Sequence, residues 1–154
     1  MLSSRFKVFL SGGITGLNNE DCKAWRDFIT SRFLYYCLLD FSTVNQMNHF
    51  NPNEETSDAL EKEAMMYDLH HLRTANLVIV NLNKTDSIGT AQELMLAYEL
   101  HIPIIGFIKE ENLSKIHPWI QTEVGKLFTY KDDSELEEIL DLIAHYVATC
   151  YFIP

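Results

Sequence analysis

Long apolar runs are missing from this chain. None approaches the roughly 20 residues that a helix needs to cross a bilayer, so a helical membrane span is excluded. Cysteine is scarce. Cys22, Cys37 and Cys150 make neither an even set nor a CxxC pair, which excludes a disulfide scaffold and a zinc ribbon. Thiols packed or idle in a reducing cytoplasm are expected instead. Basic residues are outnumbered: 12 Lys and Arg stand against 22 Asp and Glu, a formal net charge of −10. Binding a nucleic-acid polymer or an anionic membrane unaided needs clustered Lys and Arg, and that class is disfavoured. The opening Met1 to Lys7 has neither the apolar core nor the cleavage site of a signal peptide, so export is not expected. Internal repeats and low-complexity tracts are also missing. What remains is a 154-residue chain, 47% hydrophobic and 22% charged, whose length and composition fit a single globular domain over residues 1–154.

The pattern alternates strand and helix. Phe6 to Leu10 reads as a strand that ends in Ser11-Gly12-Gly13-Ile14-Thr15-Gly16, a strongly punctuated turn. Asn18 or Asn19 caps a helix that continues through Trp25, Phe28 and Ile29 towards Phe33. Tyr35 to Phe41 is a second strand, with a longer first helix as its rival. Phe50-Asn51-Pro52-Asn53 is a loop, because proline fixes its own φ and keeps its predecessor out of the helical region. A helix runs from about Ser57, a plausible N-cap, to about Arg73. Asn76 to Leu82 is the clearest strand, a continuous apolar run of the kind buried on both faces of a parallel sheet. A polar loop then leads to a helix from about Ala91 to His101. Pro103 to Ile108 is a strand, Leu113 to Lys126 is partly helical, Leu127 to Tyr130 is a short strand, and Ser134 to Val147 is a closing amphipathic helix. Strands alternating with helices imply βαβ crossovers. The expected architecture is an α/β three-layer sandwich with a five-stranded parallel sheet in flavodoxin-like (Rossmann-like) order. Such sheets hold ligands beyond the carboxyl ends of their strands, so the loops after strands one and three are where chemistry is sought.

Two carboxylates sit on helix faces that are otherwise apolar. Residues three and four apart share a helix face, which groups Ala64, Met65, Asp68 and Leu72, and likewise Gly89, Glu93, Leu96, Ala97 and Leu100. A carboxylate on such a stripe is costly unless it is paired, hydrogen-bonded or at a cleft rim. For Glu93 the ordinary alternative is a first-turn anion favoured by the helix dipole. Taken together, the two suit glycosidic chemistry, with one carboxylate attacking an anomeric carbon and the other protonating the leaving group.

The succession Val8 to Gly16, then Tyr67-Asp68-Leu69, then Ala75 to Val80, then Asp86-Ser87-Ile88-Gly89-Thr90-Ala91-Gln92-Glu93 resembles the nucleoside 2-deoxyribosyltransferase family. That superfamily also contains the N-glycosidases of deoxynucleoside 5′-monophosphates. The resemblance covers roughly Lys7 to Trp119. It implies that Glu93 takes the deoxyribosyl group as a covalent ester, and that Asp68 acts as acid/base or contacts the base. The Gly12-Gly13-Ile14 loop would roof the pocket, and a second nucleobase or water would release the sugar. No cofactor is implied, the ligand is a small nucleoside or nucleotide, and the assembly is a homo-oligomer, a dimer or larger. Two departures stand out. A tyrosine that commonly orients the nucleophile from the first strand is matched here by Phe9. The acidic residue favoured two places before the loop glycine is matched by Ser87, with Asp86 one place earlier. Ser87-Ile88-Gly89 looks more like the monophosphate branch, in which serine and backbone N–H groups hold the phosphate. Leu113-Ser114 resembles the segment by which that branch lends a serine from a neighbouring subunit. Ser87, Gly89 and Ser114 would then form a phosphate site, without the arginine expected beside it; Thr15 stands in the loop instead. A non-catalytic nucleotide-binding module of the same fold is the rival from another class.

Other features carry less. The turn after the first strand is not GxGxxG, and Asp40 is a poor candidate for a ribose ligand, so a dinucleotide cofactor is not expected. Adjacent His70 and His71 point about 100° apart on a helix, which argues against a shared metal. Cys37 and Cys150 lack a Cys-His setting. His117-Pro118-Trp119 would either stack on a base or make a turn with a buried Trp. The acidic run from Asp132 to Asp141 is the solvated face of the last helix. The apolar tail Tyr151 to Pro154 needs cover from its own or a neighbouring subunit.

Overall fold

The computed structural model describes residues 5–14, 17–37, 41–48 and 58–151. Five strands, β1 (Phe6–Gly12), β2 (Phe41–Asn45), β3 (Leu77–Asn81), β4 (Ile104–Lys109) and β5 (Lys126–Tyr130), pair in parallel in the order β2-β1-β3-β4-β5. The helices are α1 (Asn19–Cys37), α2 (Asp58–Arg73), α3 (Ile88–Glu99), α4 (Pro118–Glu123) and α5 (Leu136–Cys150).

Side-chain alternation along β1 assigns the two faces. Val8 and Leu10 pack with Trp25, Ile29 and Phe33 of α1 and with Leu140, Ile143 and Ala144 of α5. Phe9 points the other way, among Leu72 of α2 and Leu94 and Ala97 of α3. Covered on both sides, β3 has no solvent face, which is why Leu77, Val78, Ile79 and Val80 are all fully buried. The same period of two sends the next residue on the Phe9 face, Ser11, towards α3 at the carboxyl end of the sheet. There β1 lies between β2 and β3, and the crossovers leave in opposite directions.

Several boundaries differ from expectation. Tyr35 and Tyr36 belong to α1, not to a strand, and β2 begins only at Phe41. Their environment is helical in period: the Arg32 guanidinium lies over both rings, at 4.6 and 5.3 Å, while Tyr36 also donates to Asp141 of α5. Helix α3 starts at Ile88, three residues earlier than expected, so Glu93 lies in its second turn and the first-turn dipole explanation lapses. Between β4 and β5 the chain forms a 3-10 turn (Glu110–Lys115) and then α4. His117 caps α4 by accepting from Trp119 N at 3.2 Å, with Pro118 at its first position. Trp119 is 68% exposed, so the buried-Trp expectation fails. Of the acidic run, Asp132 caps the turn before α5 and Asp141 pairs with Arg32; only part of it is a bare solvated face. Thr15, Asp40, the Phe50 to Asn53 loop, Ser57 and residues 152–154 lie outside the described residues, as does the Cys37 side chain.

Candidate active site

At the carboxyl ends of β1 and β3 a cleft of about 480 Å³ opens between α2 and the start of α3. Four separate stretches of chain meet at or just beneath its floor. Ser11, the last side chain before the β1 turn, donates from Oγ to Glu93 Oε2 at 2.5 Å. Gln46 follows β2 directly, and its Nε2 donates to Glu93 Oε1 at 2.8 Å and to Asp68 Oδ2 at 3.1 Å. The two carboxylates flagged on separate helices therefore meet at a single donor nitrogen. Glu93 is anchored by its neighbours on α3, since Thr90, Leu94 and Ala97 are buried against the sheet and fix how the helix is rotated. The Asp68 stripe runs from the cleft wall into the core: Met65 is half-exposed and lines the cavity with Ala64, Asp68 and Leu69, while Leu72 one turn on is fully buried.

Burial pushes the Glu93 carboxyl up to about 7. The bonds from Ser11 and Gln46 pull it down, the Asp68 charge pushes it up, and the Arg26 charge pulls it down. A carboxyl balanced near neutrality can hold or release a proton near pH 7. Behind Gln46 lies Arg26, fully buried on α1, whose Nη2 donates to Gln46 Oε1 at 3.3 Å and to Gly12 O at 3.2 Å. Burial lowers its guanidinium to about 10, which still leaves it charged at neutral pH.

The expected binding residues divide. Gly12, Ile14, Asp86, Ser87 and Gly89 line the same cleft as Asp68 and Glu93. Gly12 has φ +158, and a Cβ there would sit 3.2 Å from Asn81 Cβ, so both conformation and space call for glycine. Gly13 is covered by the Lys84 stem, whose Cδ would lie 2.6 Å from an added Cβ, and it does not face the cavity. Asp86 is exposed, paired with Lys84 at 3.1 Å, and the lysine holds its carboxyl below the usual range. Ser87 is the N-cap of α3; its Oγ accepts from Thr90 N at 3.4 Å and shares a 2.9 Å bond with Thr90 Oγ1. A Cβ at Gly89 would meet nothing within 4 Å, leaving open space beside the helix start. Ser114 sits on the 3-10 turn after β4, exposed and outside its own chain's cleft. A second hollow of about 440 Å³, walled by His117, Trp119 and Ile120, lies across the Asp86–Ile88 loop. Phe9 is sealed in the core and makes no contribution to the cleft; the hydroxyl contact to Glu93 comes from Ser11, two residues on.

Four residues of the site escaped the sequence reading: Ser11, Arg26, Gln46 and Lys84. Ser11 had a signal, since it shares a strand face with Phe9. Arg26 had one too, on the stripe of Cys22, Trp25, Ile29 and Phe33, all buried. Gln46 had none, because its partners are distant in sequence, and Lys84, paired with Asp86 two residues on, reads as an ordinary loop charge. Among the described residues no group of three or more His, Cys, Asp or Glu side chains converges as a metal site would require. No helix there is long and apolar enough to cross a membrane.

Neither a protein-family model nor a curated protein sequence matches the chain. Solved structures do match by fold. A 2-deoxyribosyltransferase from the psychrotolerant bacterium Bacillus psychrosaccharolyticus aligns with TM-score 0.60 and 21% identity over 84% of this chain and 95% of its own. A conserved protein from Enterococcus faecalis V583 aligns with TM-score 0.63 and 12% identity over 90% and 99%. The Clostridium botulinum CMP N-glycosidase BcmB aligns with TM-score 0.52 and 18% identity over 89% and 98%. At these identities the likeness is one of fold.

Proposed function

We propose that this chain cleaves the N-glycosidic bond of a (deoxy)nucleoside through a covalent ester on Glu93 and transfers the sugar to a second nucleobase. The observation that carries this is the linked set Ser11–Glu93–Gln46–Asp68 at the floor of one cleft. A Glu93 oxygen attacks C1′ while the C1′–N bond breaks. Its electron pair stays on the base nitrogen, which receives a proton from Asp68. In the return step a nitrogen of the incoming base attacks C1′, gives its proton to Asp68, and frees the Glu93 carboxylate. Geometry favours this double displacement. Two bonds of 2.8 and 3.1 Å from one nitrogen keep the facing oxygens nearer than the roughly 6.5–9.5 Å by which an inverting pair admits water. The shared fold with a deoxyribosyltransferase and a CMP N-glycosidase supports the same chemistry.

A second reading, hydrolysis of a (deoxy)nucleoside 5′-monophosphate, is favoured by the cationic Lys84 and the α3 N-terminus at the cleft rim, beside the open space at Gly89. Water then replaces the second base. On that reading Ser114 serves the cleft of a neighbouring copy in a homo-oligomer. Incubation with a deoxynucleoside and a second free base separates the two: base exchange supports transfer, and release of sugar 5-phosphate from a monophosphate supports hydrolysis. Wild-type rates in Glu93→Ala would overturn both.

A further inference from the structure

Arg26 is the largest fully buried side chain in the described fold, and it is a cation. No carboxylate makes an ion pair with it there. Its partners are neutral: Cys22 O at 2.8 Å, Gly12 O at 3.2 Å and Gln46 Oε1 at 3.3 Å, with the guanidinium 4.6 Å from the Trp25 ring centroid. Its Nε has no partner among the described residues. A buried guanidinium satisfied only by carbonyl oxygens is an expensive way to brace a turn.

Its effect on Gln46 accounts for it. Arginine donates and never accepts, so the carboxamide facing it must present oxygen. Once Oε1 is held there, the NH2 of the same group points at Glu93 and Asp68. A flipped amide would set its oxygen against two carboxylates and leave the guanidinium facing donors. We propose that Arg26 is a positioning residue that locks the Gln46 carboxamide with its NH2 towards Glu93 and Asp68, and so sets the charge state of the nucleophile. This rests on the reading of Glu93 as nucleophile. The polar and charged groups around Glu93 come from several elements: Ser11 from β1, Gln46 after β2, Asp68 from α2 and Arg26 from α1, with Glu61 of α2, Lys84 and Asp86 lining the same cleft.

The test reads Glu93 directly. The side-chain carboxyl resonance of Glu93, assigned by its loss in Glu93→Gln, is titrated in wild type, Arg26→Met and Arg26→Lys by carbon-13 NMR. Removing the cation in Arg26→Met raises the midpoint by about one pH unit. With it, kcat/KM at pH 6 falls about tenfold through kcat, KM stays within twofold, and the rate recovers at pH 8. Arg26→Lys keeps a charge without the fixed fork and gives an intermediate shift. In a Gln46→Leu background the Arg26→Lys shift shrinks, because the lock it acts through is gone. A lowered melting temperature with an unchanged midpoint and pH profile would reduce Arg26 to a scaffold residue. Should neither Arg26 variant fold, wild type still decides. The Gln46 NH2 resonances, assigned with Gln46→Leu in nitrogen-15-glutamine-labelled protein, must shift as Glu93 titrates, and their failure to do so refutes the proposal. If wild-type protein cleaves no glycosidic bond, the functional reading falls while the NMR titrations still report on Arg26.

Discussion

Glu93→Gln should destroy turnover and at the same time stabilise the protein, in a manner that depends on pH. In the folded chain the carboxyl is pushed up to about 7, against an ordinary value of 4.5. Between those values the native state binds a proton that the unfolded state has released, so stability falls as pH rises through the window. By pH 8 the ionised carboxylate lowers stability by about 3 kcal/mol relative to a protonated one. A carboxamide has the shape of the protonated acid. Its oxygen can accept from Gln46 Nε2, and its NH2 can donate to the Ser11 hydroxyl, so both contacts survive in exchanged roles. Allowing for imperfect geometry, the variant should gain about 1–3 kcal/mol at pH 8, or roughly 3–10 °C in melting temperature for a chain of this size. At pH 5 native Glu93 is already protonated, and the gain should fall below about 1 kcal/mol. Thermal and urea unfolding of both proteins at pH 5, 6.5 and 8 measures this. An equal gain at every pH, or a loss of stability at pH 8, would show that Glu93 is not held in a site that penalises its charge.

Ser11→Ala removes a hydrogen bond to a charged group worth about 1.5–3 kcal/mol, so kcat should drop roughly 10- to 100-fold and the acid limb of the pH profile should move upward; steady-state rates from pH 5 to 9 check it. Asp68→Asn keeps the Gln46 contact but removes the proposed proton donor, and should cost about 10²- to 10⁴-fold in kcat, with the most basic leaving groups affected most. On the monophosphate reading, Lys84→Met should raise KM for a nucleoside 5′-monophosphate about tenfold while leaving an unphosphorylated nucleoside nearly unchanged, because the cation at the rim would meet only the phosphate; a parallel rise for both substrates would argue against that reading. Gly12→Ala should lower the urea midpoint by an amount worth about 1–3 kcal/mol, as the new methyl meets Asn81 in a backbone region unfavourable to side chains.

Much of the fold was legible because its strands are apolar for a reason visible locally. β3 is closed to water on both faces, so its sequence could not be anything but a continuous hydrophobic run. The carboxylates Asp68 and Glu93 were legible as interruptions of helical stripes, and they do share a cleft. The extra turn of α1 was open as the rival to a strand at Tyr35: the two tyrosines favour strands by type, while the contacts that settle the matter, with Arg32 and Asp141, are made across helical and tertiary spacings. Gln46 stayed hidden for a stronger reason. A lone glutamine after a short strand carries no periodicity, and its importance arises only when α2 and α3 bring two acids to its one NH2 group. Ser114 marks the opposite case: a local motif was legible, yet its own chain's cleft lies elsewhere.

The cap on α3 has a consequence for how a ligand would be received. At 3.4 Å the Thr90 N–H to Ser87 bond is longer than an ordinary amide hydrogen bond, so its loss is inexpensive. On the monophosphate reading, an anion settling against that end of the helix would supply the acceptor oxygen that Ser87 Oγ now provides to Thr90 N, freeing the hydroxyl to turn outward as a donor. Docking and refastening of the helix end would then be one event. Amide hydrogen exchange at Gly89 and Thr90 should slow when a phosphorylated compound enters and stay unchanged when an uncharged one does.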